Sequence, residues 1–409
     1  MKQMEETLLI TNETEELRPE DMPEFLLTEQ KKQTEKKEPD HKKQNKPKEN
    51  QPKKSRKGLV GRIFLCIGTF LILLVVTVVV ACYVLLNGPS TTMRDALVLS
   101  AKQASATKWI PALFLDEDLV RQIEENSKTV TYDVVSLEDV AAPSEKELAN
   151  EWDDAIDGIR LVTIQKPAFK GYLLMIKDPT RVFVGTASDF KSGKAGMRIF
   201  DVAEKYNAVC AINGGEFPDG AGGGNGATPI GITYSQGKKV YSGHTNRTFM
   251  GLTNDNKLVV SEGMTEARAK ELGIRDGVCF QTGNCLITND GTNMTTHYSP
   301  NDTGRAQRTA IGQRADGTIL LLVTDGRTAS SLGATHNDLI DVMREYHAIV
   351  AGKLDGGSSA MMYYRNYSQV YNIPEDQLDE YGRRGLVNTY KAFTEPRRLP
   401  TFFVVGEAK

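Results

Sequence analysis

Two short motifs carry the side chains best suited to chemistry, Asp325-Gly326-Arg327 and Asp355-Gly356-Gly357-Ser358-Ser359. Each closes an apolar run, Ile319 to Val323 or Ala348 to Ala351, that reads as a buried strand. An Asp followed by Gly at a strand end sets a carboxylate beside backbone N–H groups that no side chain shields, a concavity that accepts anions. Asn213-Gly214-Gly215-Glu216 repeats the arrangement after the apolar run Ala208 to Ile212. Arg308, His336 and Arg398 also stand at the ends of apolar or periodic runs. A guanidinium beside Gly-Gly amides suits a phosphate, because its planar fork binds two oxygens at once. Carboxylates at the same edge supply a general acid, a general base or a nucleophile for glycosyl or phosphoryl transfer. The same carboxylates with Asn213 are an alternative set of oxygen ligands for a divalent cation, and the residues leave that choice open.

The elements that must position these groups form a strand–helix–strand unit. Leu339, Ile340, Val342, Met343 and Tyr346 recur near a 3.6-residue period, with Thr335 or Asn337 as the cap. If the helix is a crossover, the two flanking strands are parallel and Asp325 and Asp355 share one sheet edge, where ligands of such sheets collect. Further strands are expected at 158–164, 171–176, 181–185, 208–212 and 397–405, with short ones between 230 and 260 and another containing Arg308. Helices are expected at 199–207 and 265–272. Strands outnumber helices, so the fold class is α+β, a mixed α/β sheet domain over 159–409.

The rest of the 409 residues divide sharply. Residues 1–57 are charged, first acidic and then lysine-rich, and too poor in apolar side chains to offset chain entropy, so a disordered tail is expected. Ile63 to Leu86 is 24 residues without a charge, enough to span a bilayer as a helix. Its position makes the lysine run a membrane-proximal cluster and gives no reason to expect a nucleic-acid partner. Lys53, Lys54, Arg56, Lys57 and Arg62 precede the span, which puts residues 1–57 in the cytoplasm and the C-terminal domain outside. The expected divisions are therefore a tail at 1–57, a single transmembrane helix at 59–87, an extracytoplasmic helical stalk and linker at 90–158, and the sheet domain at 159–409. Within the stalk the residues after 126 read as irregular.

Cys279 and Cys285 have the spacing of a small disulfide loop, which an outside location permits, but no zinc motif accompanies them. Cys210 lies in an apolar run and reads as core. The chain has no G-x-S-x-G elbow around Ser358, which argues against a serine hydrolase.

Five motifs fall in one order: Ile212-Asn-Gly-Gly215, Arg308-Thr-Ala-Ile-Gly312, Thr324-Asp-Gly-Arg327, Leu354-Asp-Gly-Gly-Ser-Ser359 and Arg398-Leu-Pro400. In these the chain resembles the phosphodiester glycosidase family over roughly 159–407. The resemblance implies hydrolysis of a sugar-1-phosphodiester in a glycan or exopolysaccharide pathway. It implies a pocket with Asn213, Arg308, Asp325 and Asp355 as catalytic residues and Gly214, Gly215, Gly356 and Gly357 shaping it. Glu216, Arg327, His336, Ser358, Ser359 and Arg398 are the remaining candidates for substrate binding. Two positions depart from the family pattern: Glu216 stands where an aromatic is usual, and Lys353 where Asn commonly precedes Leu-Asp-Gly-Gly. Two other functions fit the same residues. One is a phosphotransferase that attaches lipid-linked glycan to the cell wall. The other is a non-catalytic glycan-binding or assembly module.

Overall fold

The computed structural model describes residues 56–102, 107–127, 130–138, 150–190, 193–220, 224–302, 304–328, 331–390 and 395–408. The tail expected at 1–57 falls almost wholly outside them. A helix runs over Arg56–Asn87. Its portion Arg62–Asn87, 26 residues, is long and apolar enough to cross a membrane. By length and composition it is a candidate membrane span or signal sequence.

Both helices expected after it are present, as Thr91–Lys102 and Glu117–Ser127, and the Trp109 to Phe114 stretch between them breaks into a single tight turn at Pro111–Leu113. They are tied to the sheet domain rather than extended from it. Ser299 Oγ donates to the Ser127 carbonyl, Asn301 Nδ2 to the Asn126 carbonyl at 3.2 Å, and the Arg305 N–H to Ser100 Oγ at 3.4 Å. The stretch expected to be irregular holds a strand, Thr131–Ser136, paired along its length with Asn293–Tyr298.

That strand is the edge of an eight-stranded sheet. The order across it is Thr131–Ser136, Asn293–Tyr298, Cys285–Asn289, Ala348–Leu354, Thr309–Arg314, Ile319–Thr324, Lys170–Ile176 and Ile159–Gln165. All neighbours pair antiparallel. A five-stranded sheet contains Thr248–Thr253 and Ile274–Phe280, and a four-stranded sheet contains Cys210–Asn213 and Thr401–Val405. The class is thus mixed helix and sheet with mainly antiparallel pairing.

Burial on both faces explains the continuous apolar runs. Ile319, Leu321 and Val323 face a core shared with Ile212, Met250, Val278 and Phe403 from the two smaller sheets. Leu320 and Leu322 face the opposite way, onto Leu339, Ile340 and Met343 of the helix His336–Glu345. Thr335 caps that helix and accepts from the Asp338 N–H, while Asp338 accepts from the Thr335 N–H.

Thr309–Arg314 lies between Ile319–Thr324 and Ala348–Leu354 and is antiparallel to both. The two outer strands are therefore parallel to one another, and Asp325 and Asp355 leave the sheet at the same edge, either side of the chain entering at Arg308. Arg308 stands one residue ahead of its strand rather than within it.

Cys279 and Cys285 are free thiols, not a disulfide. Cys279 Sγ donates to the Ile232 carbonyl at 3.3 Å, and Cys210 is buried in the core as its apolar context predicts.

Candidate active site

Asp355 closes its strand at the base of an open cleft of about 1870 Å³. Gly356, Gly357, Ser358 and Ser359 line it beside the carboxylate. The Gly356 N–H donates to Asp355 Oδ1 at 2.9 Å and the Gly357 N–H to the Gln307 carbonyl at 2.9 Å. Gly357 has φ +57°, a left-handed backbone that glycine adopts without strain. Burial pushes the Asp355 carboxyl up to about 7, against the pull of Ser359, the Gly356 amide and Arg397. The group can therefore hold or release a proton near neutrality, as acid–base chemistry requires.

Asn213 does not line the cleft. It is fully buried, and its side chain fixes the loop from behind. Asn213 Nδ2 donates to the Asp355 carbonyl at 2.7 Å, and its Oδ1 accepts from Thr309 Oγ1 at 2.8 Å and the Met361 N–H at 3.1 Å. Gly214 and Gly215 also sit behind the cleft. A Cβ on Gly215 would lie 2.3 Å from the Cys279 carbonyl oxygen, so only glycine allows the smaller sheets to approach this closely. Asp325 is likewise screened. Its two oxygens accept from the Thr389 N–H at 2.8 Å and Thr389 Oγ1 at 3.1 Å, and it is Thr389 that faces the cleft. Burial raises the Asp325 carboxyl above the ordinary range, against these bonds.

Arg308, Arg327, Lys353 and Arg397 line the cleft with Asp355. Arg308 is buried with its Nε on the Ala334 carbonyl at 3.1 Å and its Nη2 on the Gly304 carbonyl at 2.9 Å. Burial lowers its pKa. Arg327 donates to the Ser100 carbonyl and to the Arg305 carbonyl at 3.0 Å. Lys353, a departure from the family pattern, also lines the cleft. Burial, and then the nearby Arg308 charge, bring its ammonium down to about 7. His336 lines the same wall, its Nε2 2.9 Å from the His297 carbonyl. Burial, with Lys353 adding to it, lowers its pKa to about 3, so the ring is neutral in ordinary buffers.

Arg397, not Arg398, is the cleft residue of the Arg-Arg pair. Its guanidinium donates to Asp219 and to Ser358 Oγ at 3.1 Å, and stacks 4.9 Å from the Phe217 ring. Arg398 points away, to the Gly196 carbonyl at 3.2 Å. Tyr390 completes the rim, with its hydroxyl on the Ser358 carbonyl at 2.8 Å. Glu216 also lines the cleft and faces Arg247 at 3.5 Å. Burial raises its pKa, with Arg247 opposing. No sequence motif singles out Arg397, Asp219, Thr389 or Tyr390 for the cleft, and Lys353 stands out only as a departure from the family pattern. Among the described residues no three His, Cys, Asp or Glu side chains group so as to hold a metal ion.

Residues 206–405 match the phosphodiester glycosidase family model.

All five sequence motifs lie inside that match, and so does most of the cleft. The phosphodiester glycosidase match suggests a glycosidase-type hydrolase. Leu99, Lys102, Thr107 and Lys108 add a wall from outside it. Among solved structures, the chain is similar to the catalytic domain of zebrafish N-acetylglucosamine-1-phosphodiester alpha-N-acetylglucosaminidase, auto-inhibited by its pro-peptide. That likeness has 17% identity, covers 68% of this chain and 89% of the other, and has a TM-score of 0.45. An exported protein from Burkholderia pseudomallei shows 15% identity, coverage of 58% and 74%, and a TM-score of 0.39. A hypothetical protein from Synechocystis shows 15% identity, coverage of 60% and 61%, and a TM-score of 0.35. No curated protein matches the chain.

Proposed function

We propose that the protein is a membrane-anchored, extracytoplasmic phosphodiester glycosidase that releases sugar from a sugar-1-phosphodiester of a surface glycan. The observation that carries the reading is Asp355. Its proton is exchangeable near neutral pH, and it shares one cleft with Arg308, Arg327, Lys353 and Arg397. In the reaction the bond between the sugar C1 and the phosphate oxygen breaks. Water supplies a hydroxyl to C1 and a proton to the departing phosphate, which stays on its other partner. Asp355 handles the proton, the cations that line the cleft hold the phosphate, the Gly356–Gly357 turn shapes the floor beside them, and Asn213 and Asp325 position the loops. The helix Arg62–Asn87 anchors the domain, and the basic residues before it favour an outside-facing C-terminal part.

The test is sugar release by the full chain from a panel of sugar-1-phosphodiesters, with and without chelator, beside Asp355→Asn. Release that the substitution abolishes supports the reading; release that survives it removes Asp355 from the chemistry. The size of the cleft favours one second reading, transfer of a glycan phosphate to an acceptor. Product analysis separates the two, because transfer makes a new glycan–phosphate linkage and hydrolysis frees a reducing sugar.

A further inference from the structure

The inference below rests on the membrane-anchored reading above. Asn87, the last residue of the apolar helix, donates through Nδ2 to the Phe114 carbonyl at 3.4 Å, bringing the 107–115 segment back to the helix end. Leu86 is buried there with Val98, Leu99, Val120 and Ile123, and Phe114 and Leu115 pack against them. The same segment leaves two large apolar side chains outward: Trp109 is 57% exposed and Leu113 is 65% exposed. Tyr83, near the end of the apolar helix, is 58% exposed.

Indole and phenol rings beside the end of a long apolar helix have the chemistry of the bilayer interface, where an apolar body meets a polar tip. The residues just before Trp109 face the other way: Thr107 and Lys108 line the cleft. Ser100, in the preceding helix, holds the Arg327 guanidinium. One short segment therefore touches both the helix end and the anion-binding wall.

We infer that Trp109 and Leu113 form an interfacial contact with the bilayer that holds the cleft mouth at headgroup level, so that the phosphodiester it takes is one carried by a membrane lipid. A water-soluble ester would gain nothing from this placement. A lipid-borne one would meet the Lys108 wall without leaving its leaflet.

The chain has two tryptophans, Trp109 and Trp152, so Trp152→Phe leaves Trp109 as the single reporter. The full-length variant is reconstituted in phosphatidylcholine–phosphatidylglycerol vesicles with lipids brominated near the headgroup end of the acyl chain. Quenching by these lipids, with little quenching by aqueous iodide, is the expected result. Quenching by iodide alone overturns the contact. Protection from both quenchers overturns it in favour of a second copy or another protein over this patch. The substrate arm compares a polyprenyl-linked sugar phosphodiester with a short-chain water-soluble ester of the same sugar. Trp109→Ser with Leu113→Ser should lower kcat/KM on the lipid-borne ester by about tenfold or more and leave the soluble ester unchanged. Equal loss on both, or no preference for the lipid-borne ester in the parent, overturns the substrate class. Lipid quenching with no hydrolysis of either ester would instead sink the glycosidase reading and leave the membrane contact standing.

Discussion

Asn213 and Asp355 are joined by a hydrogen bond of 2.7 Å from a side-chain amide to a backbone carbonyl, across 142 residues of sequence. Asn213 never reaches the cleft, yet it holds the residue that does. Replacing it with alanine leaves the Asp355 carbonyl, the Met361 N–H and the Thr309 hydroxyl without this buried partner. Asn213→Ala should cost about 2–4 kcal/mol in denaturant unfolding and lower kcat with it. Unchanged stability would mean that water enters behind the loop.

Asp355→Asn should reduce sugar release by a factor of about a thousand, with the fold intact. Its stability has a definite pH dependence. Burial raises the carboxyl to about 7, above its unfolded value, so between roughly pH 4 and 7 the folded chain holds a proton that the unfolded chain has given up. The parent therefore loses stability as pH rises through this window, while the amide does not ionise. The Tm of Asp355→Asn relative to the parent should climb from pH 4 to 8, and a flat difference would contradict the burial argument.

Lys353 carries a second titration in the same range, since its ammonium is lowered to about 7 beside Arg308. If Asp355 must be protonated and Lys353 charged, log kcat/KM should fall above neutrality with a slope approaching about two. Lys353→Met should reduce that slope to about one and weaken inhibition by inorganic phosphate. Retention of the steep limb would remove Lys353 from the phosphate.

Arg397 and Arg398 should separate cleanly. Arg397→Ala breaks contacts to Asp219 and Ser358 and should cost about a hundredfold or more in kcat/KM. Arg398→Ala, whose guanidinium meets only the Gly196 carbonyl among its described partners, should stay within about threefold of the parent.

The thiols give a simple structural check. Cys279 and Cys285 are buried and free, and burial raises both pKa values, Cys279 to about 12. A reductant should leave Tm unchanged, and both thiols should resist a thiol reagent until the domain unfolds. A Tm drop on reduction would show a bond that this structure lacks.

Much of this was readable from residue order. The apolar run Ile319 to Val323, a helix cap at Thr335 or Asn337 and the Asp-Gly strand ends are local signals, and local signals survive in sequence. The choice between Arg397 and Arg398 was not readable. Neighbours in extended chain point to opposite sides, and their phase is set by distant pairing, where Leu399 bridges Met197 and Thr401 begins a ladder with Thr186. The Asp-Gly motif sets Asp325 at the right edge but gives no sign that Thr389, 64 residues away, screens it from the cleft. Thr131–Ser136 escaped because four of its six residues are exposed, which erases the hydrophobic alternation that marks a strand.

That edge strand also bears on how the protein is made. Thr131 and its partner Tyr298 are 167 residues apart. At the usual speed of synthesis the later strand emerges on the order of ten seconds after the earlier one. Through that interval six residues with Tyr132 and Val134 outward have unpaired backbone and no sheet to join. In the folded domain the strand is paired on one side with Asn293–Tyr298 and stays outermost in its sheet among the described residues, so the hazard of wrong pairing is greatest in the nascent chain, where both of its sides are open.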